Sequence, residues 1–172
     1  MSTLAEFNQA PVETLRPRLL SLTAAEEWAD GLLAARPYDD LDAVLATSDA
    51  ILAKLDEAQI DSALAGHPRI GERAEGLDEE SAARSAKEQS SMSDADTSVQ
   101  EAITQGNVEY EERFGRIYLV AAAGRSADEL VALLRQRLGN DPVTELEVVR
   151  EELARISRIR LRSEIQHLPE AR

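Results

Sequence analysis

Cysteine is absent from all 172 residues, which removes disulfide frameworks, thiolate zinc sites and a cysteine nucleophile together. Aromatic residues are scarce, one Trp, three Tyr and two Phe, and β-branched residues are thinly spread, so a sheet-built core is not expected. Long apolar runs are also missing. The longest, Ile117 to Ala123, is far short of the roughly 18–20 residues that cross a bilayer. The opening Met1–Glu6 lacks the basic-then-apolar layout of a secretory signal, and the closing Pro169–Arg172 is not a peroxisomal address. These absences predict a soluble, cytoplasmic protein with no membrane association. Positive charge is short as well: 19 Lys and Arg stand against 33 Asp and Glu, a net charge of −14. Nucleic-acid binding rests on neutralising phosphates, so no nucleic-acid partner is expected. The imbalance lies in residues 1–112, with 8 basic and 24 acidic side chains; residues 113–172 carry 11 and 9. The acidic part serves solubility or a basic partner, and an anion pocket would draw its charge from the last third.

What is present reads as helix. Alanine, leucine, glutamate and arginine dominate, and the spacing predicts an all-α, single-domain multi-helix bundle over residues 1–172 with one short extended segment near 116–122. A segment from Val12 to Leu22 is expected to be interrupted at Pro17. Thr23, with Glu26 three residues on, reads as a capping box opening a helix to about Arg36. Helices are further expected from Asp39 or Asp40 past Leu52, over 58–65, from Asp78 through Met92, and from about Asp94 to Glu112. Ser126 reads as the cap of the next, over 128–138. Asp141 as N-cap and Pro142 at the first helical position open a last helix reaching about Gln166.

Three places break the ordinary logic of a bundle. His67 lies between Gly66, which can end a helix, and Pro68, which biases the histidine away from helical geometry. A rigidly held imidazole that titrates near neutrality suits proton transfer, though a turn histidine bonded to a carbonyl has the same pattern. Ser85, Glu88 and Gln89 share one helix face at i, i+3 and i+4, flanked by alanines with little apolar surface to bury; the face is either solvated or lines a polar pocket. On the last helix Leu146, Val149, Leu153 and Ile156 form an apolar stripe whose next step lands on Arg160. A buried guanidinium there needs an oxygen-bearing partner, unless its stem lies along the apolar edge and its head reaches water. His167 reads as an exposed side chain. No HExxH, no EF-hand-like loop and no paired ExxH motif points to a metal, and no GxGxxG, GxxxxGK[ST] or GxSxG loop is present.

The motifs HPRIG (His67–Gly71), SxxEQS (Ser85–Ser90), NxxYxxxFG (Asn107–Gly115) with RIYLVAAAGRSADEL after it, RLGND (Arg137–Asp141) and RIxxxRL (Arg155–Leu161) follow one another in order. With Trp28 and RPY at Arg36–Tyr38 they resemble the OHCU decarboxylase family, which acts on 2-oxo-4-hydroxy-4-carboxy-5-ureidoimidazoline, an intermediate of urate oxidation, and forms (S)-allantoin. The resemblance covers nearly the whole chain. It implies that His67, Glu88 and Arg160 are catalytic and that Pro68, Ser85, Gln89 and the backbone of Arg116, Ile117, Tyr118 and Leu119 meet the substrate. It also implies a helical homodimer that needs no cofactor and no metal. Some relatives are fused to the preceding hydrolase, for which this chain is not expected to have room. Relatives often carry a small-residue and glycine pattern where this chain has Ser90-Ser91-Met92, and apolar or phenylalanine residues at Arg116 and Tyr118. The competing readings are a lyase on another small ureido acid, with the same histidine, glutamate and arginine, and an acidic interaction protein without catalysis.

Overall fold

A computed structural model describes residues 3–72, 76 and 78–168. Among them are ten helices and no strand: α1 (Thr3–Gln9), α2 (Val12–Leu22), α3 (Glu26–Ala34), α4 (Leu41–Leu52), α5 (Glu57–Leu64), α6 (Glu79–Glu88), α7 (Ser90–Ser93), α8 (Thr97–Phe114), α9 (Ala127–Leu138) and α10 (Pro142–Gln166). The expected all-α class is what is found. The irregular stretch between Gly66 and Gly76 is described only in part, since residues 73–75 lie outside the described set, as does the closing segment from Pro169. The chain divides into two compact units, Met1–Gly66 with Leu153–Arg172, and His67–Glu152.

In the first unit the periodicity of the sequence is met by burial of Phe7, Leu15, Leu19, Trp28, Leu32, Val44, Leu45 and Ile60, joined by Leu153 and Leu161 from α10. The Trp28 indole donates to Ser48 Oγ at 2.8 Å, so the one buried polar side chain of α4 is satisfied rather than stranded. Arg36 closes the end of α1, its Nη1 donating to the carbonyls of Phe7 and Ala10 at 2.9 and 2.8 Å. Those are orphan groups of a helix terminus.

Two expectations fail in this unit. Helix α2 runs through Pro17 without a break. Proline inside a helix costs about 3 kcal/mol, whereas burying Leu15, Leu19 and Leu22 returns about 1.5–3 kcal/mol each. Pro17 and Glu13 are both exposed, so the Glu13 carbonyl that loses its donor faces water. Thr23 does not cap α3; it ends α2, its N–H bonding to the Leu19 carbonyl, and Ala25 occupies the N-cap position with no side-chain bond. The Thr23 hydroxyl is instead 2.7 Å from Ser157 Oγ on α10. A buried partner outcompetes a local cap.

The second unit is built on α8 against α9, with a core of Ile70, Met92, Ile103, Tyr110, Tyr118, Val120, Leu130, Val131 and Leu134. Ser126 and Glu129 form a reciprocal capping box at the start of α9. Asp141 Oδ1 accepts from the N–H groups of Val143 and Thr144 at 3.1 and 3.0 Å, with Pro142 as the first residue of α10. The α6 helix stops sooner than its composition suggests. Gln89 has φ −100° and ψ 20°, and the chain turns there before the single turn of α7.

Candidate active site

The turn after His67 is pinned by side chains from two other elements. Asn107 on α8 donates through Nδ2 to the Ile70 carbonyl at 3.0 Å, and Gln89 Oε1 accepts the Gly71 N–H at 2.9 Å. Gly71 has φ +85°, and a Cβ there would lie 3.3 Å from Ile103 Cγ2. The positive φ and the close packing together account for the glycine of the motif. Arg69 forms an ion pair with Glu111 on α8, Nη2 to Oε2 at 3.0 Å. The hydrogen bond from Arg69 holds the Glu111 carboxyl below its ordinary range. His67 is half-buried, with Nε2 shielded from solvent, and Pro68 beside it is half-buried too. The stiff corner expected from the sequence therefore has its physical basis in Asn107 and Gln89 as well as in Pro68.

The polar face of α6 is not a solvated surface at Ser85, which is 4% exposed. Asp78 caps the helix, accepting from the Ser81 N–H at 3.0 Å and from its hydroxyl at 2.8 Å. Those bonds, the backbone one first, depress the Asp78 carboxyl. Ser85 and Gln89 line a cavity of about 870 Å³ with Gly71, Met92, Gln100 and Thr104. Glu88, half-buried, is the last residue of α6. The break at Gln89 turns that amide back onto the Gly71 N–H, which a helix continuing to Met92 would not allow.

Gly115, with φ +71°, ends α8, and its N–H bonds to the Glu111 carbonyl. The chain then runs through Arg116 and Ile117, half-buried, into Tyr118, Leu119, Val120, Ala121 and Ala122, all buried. This is where an extended segment is expected, and it has no strand partner among the described residues. Its backbone is met by side chains. Arg137 Nη1 donates to the Leu119 carbonyl at 2.6 Å, and Glu152 Oε2 accepts the Ala121 N–H at 2.7 Å. Arg137 is 4% exposed and pairs with Glu145, which is fully buried, at 2.6 Å. Tyr110 Oη and Asn140 Nδ2 donate to the two oxygens of Glu145 at 2.5 and 2.9 Å. Burial first, and then the Glu145 carboxylate, push the Tyr110 phenol well above its ordinary value, so it acts as a donor.

Arg160 belongs to the first unit. It is buried, as the stripe requires, and Nη1 donates to the Leu22 carbonyl at the end of α2, 2.9 Å away. A cation at a helix C-terminus satisfies an orphan carbonyl and meets the negative end of the dipole. His167 is exposed at the end of α10, its Nδ1 2.7 Å from the Ser163 carbonyl.

The turn at 67–71, the end of α6 and the 116–119 segment thus all belong to the second unit. Asn107, Arg137, Glu145 and Glu152 complete it, and no role was read for them in the sequence. The two glutamates fall seven residues apart on the same stripe as Val149 and Ile156, the one pattern that could have flagged them. Among the described residues no group of three or more His, Asp or Glu side chains is placed to hold a metal ion. No helix there is long and apolar enough to cross a membrane.

A family model described as OHCU decarboxylase matches residues 8–162. The uric acid degradation bifunctional protein TTL of Arabidopsis thaliana is 27% identical over 139 residues, 80% of this chain; the chain spans only 43% of that protein's length. The 2-oxo-4-hydroxy-4-carboxy-5-ureidoimidazoline decarboxylase of Haloferax volcanii is 26% identical over 160 residues, 92% of this chain and 94% of its own. In fold, the chain is similar to a crystal structure of OHCU decarboxylase determined with (S)-allantoin. The TM-score is 0.72 at 20% identity, covering 86% of this chain and 96% of that one.

Proposed function

The chain belongs to the OHCU decarboxylase family, and from that premise we propose that it decarboxylates 2-oxo-4-hydroxy-4-carboxy-5-ureidoimidazoline to (S)-allantoin, a step of urate degradation. The family match across residues 8–162 carries this reading, and the fixed turn after His67 beside Gln89 gives it local support. In the reaction the bond from ring carbon to carboxylate breaks, CO2 leaves, and the electron pair passes to the adjacent ring C=N. A proton then adds stereospecifically to carbon. The ring itself accepts the electrons, so the protein's tasks are positioning, placement of charge and delivery of one proton.

His67, shielded at Nε2 and flanked by Pro68, exchanges a proton with the substrate hydroxyl or the developing carbanion. Glu88, at the end of α6, orients that imidazole or crowds the leaving carboxylate, disfavouring it relative to neutral CO2. Arg160 anchors an oxygen of the ring or of the ureido group. Ser85 and Gln89, which both line the cavity beside Gly71, supply polar contacts to the substrate. The backbone of Arg116 to Leu119 meets the ring. The whole chain acts as one decarboxylase domain, cofactor-free, and works as a homodimer in the cytoplasm; sedimentation at several concentrations tests the dimer.

The test of the activity uses freshly generated substrate followed by circular dichroism. Rapid formation of optically pure (S)-allantoin above the spontaneous racemic background is the expected result. Background decay alone overturns the reading. Turnover of a different ureido acid with inert OHCU would move the same residues to a related lyase.

A further inference from the structure

The buried ion pair between Arg137 and Glu145 is an expensive way to stabilise a fold, because two charges leave water and an apolar pair of equal volume commonly does as well or better. Its geometry shows what it does instead. The Arg137 side chain makes three kinds of contact. Nε and Nη2 go to Glu145 Oε1 at 2.7 and 2.6 Å, Nη1 goes to the Leu119 carbonyl at 2.6 Å, and the guanidinium lies over the Tyr118 ring, 4.8 Å from its centroid. Glu145 is itself held by Tyr110 and Asn140. The arginine therefore has one permitted position, and so does the carbonyl it holds. Leu119 lies in a buried stretch with no neighbouring strand among the described residues to set its register, so side chains replace the ladder that would otherwise fix the backbone. Glu152 does the same for the Ala121 N–H, two residues on.

We propose that Arg137, fixed by Glu145, is a positioning residue of the active site: it sets the backbone of Ile117 to Leu119, and with it the orientation of the substrate ring that this backbone meets. The proposal rests on the decarboxylase reading. A ring tilted against a displaced carbonyl binds less well and presents both faces to the proton donor, so affinity and optical purity fall together. Lysine at 137 keeps the charge but cannot reach Glu145 and Leu119 with separate, fixed donors.

The experiment measures kcat, KM and the enantiomeric excess of allantoin for wild type, Arg137→Lys, Tyr110→Phe and Asp141→Ala. Measurements are made well below each protein's unfolding midpoint. Arg137→Lys is expected to raise KM about tenfold or more, with a smaller change in kcat and a loss of optical purity. Tyr110→Phe, which removes one of the bonds to Glu145 and barely alters shape, shows the same signature at a few-fold. Asp141→Ala removes the cap of α10 and lowers the midpoint while kinetics and stereochemistry stay at wild-type values, which separates positioning from stability. If Arg137→Lys does not fold, Tyr110→Phe decides the matter alone. Folded variants with the KM and optical purity of wild type overturn the proposal and leave the decarboxylase reading standing. An inert wild type overturns both.

Discussion

Gly106 lies on the face of α8 that packs on α9, and it is buried. In an exposed helix interior, Gly→Ala gains about 1 kcal/mol of propensity. Here the new methyl would fall well inside contact distance of Leu134 Cδ2 and 3.0 Å from Leu134 Cγ. Leu134 is 1% exposed, so its branched end has no open space into which to swing. Overpacking of this kind costs about 1–3 kcal/mol, which outweighs the propensity gain. Gly106→Ala is thus expected to lose about 1 kcal/mol. The decisive perturbation is the same substitution with Leu134 shortened. Leu134→Ala alone should cost about 2–5 kcal/mol through the cavity it leaves. In that background the added methyl occupies vacated space, the propensity term returns, and Gly106→Ala becomes stabilising by about 1 kcal/mol. The sign reversal gives a coupling of about 2 kcal/mol, within the range for residues in direct contact. Urea unfolding followed by far-UV circular dichroism reads it: with a slope of about 2 kcal/mol/M, Gly106→Ala moves the midpoint by about 0.5 M in each background, in opposite directions. Gly106→Ala that stabilises the wild-type background, or a cycle that closes additively, would refute the close approach of α8 and α9 at this point.

His67→Gln should fold normally and lose about 10²–10⁴-fold in turnover, as expected for a lost general acid or base; near-full turnover in a stopped-flow assay rejects the assignment. Asn107→Ala removes the donor to the Ile70 carbonyl and should cost about 1–3 kcal/mol in chemical denaturation, with hydrogen exchange faster in the 67–71 turn than elsewhere. Asp30, Asp78, Glu129 and Asp141 are all held below the ordinary carboxylate range. The main causes are the hydrogen bond from Arg16, the backbone N–H of Ser81, the backbone N–H of Ser126 and the Thr144 hydroxyl, respectively. A carboxylate depressed in the folded state adds stability that is complete above its unfolded value of about 4 and is lost as the pH falls through the folded value. Denaturation midpoints should therefore be flat toward neutrality and decline below about pH 4, and the double variant Glu129→Gln with Asp141→Asn should flatten that decline; an unchanged acid limb contradicts it.

Helix starts were legible at most positions where a short polar side chain bonds its own helix: Ser126 and Asp141 hold the caps read for them, and Asp40 and Asp78 cap helices at the starts expected there, whereas the capping box of Asp56 with Gln59 at α5 was missed. The end of α10 falls at Gln166, as expected. Failures arose where a distant partner outcompetes a local signal. Thr23 has the sequence of a capping box, yet its hydroxyl goes to Ser157, and nothing within a few residues encodes that. Gln89 has good helix propensity, yet it breaks α6 to take the Gly71 N–H. Glu145 and Glu152 were not legible, because their burial depends on Arg137 and on two backbone groups of a segment that has no strand partner among the described residues. Arg160 was legible as a buried cation, while the Leu22 carbonyl as its acceptor was not.

The most direct test of the central assignment is a crystal structure of the wild-type protein with (S)-allantoin bound. The account predicts His67 and Glu88 within hydrogen-bond reach of the ligand, the Arg160 guanidinium on one of its oxygens, and the backbone of Ile117 to Leu119 against the ring. Allantoin bound at high occupancy with His67 and Glu88 both remote from it would contradict the account.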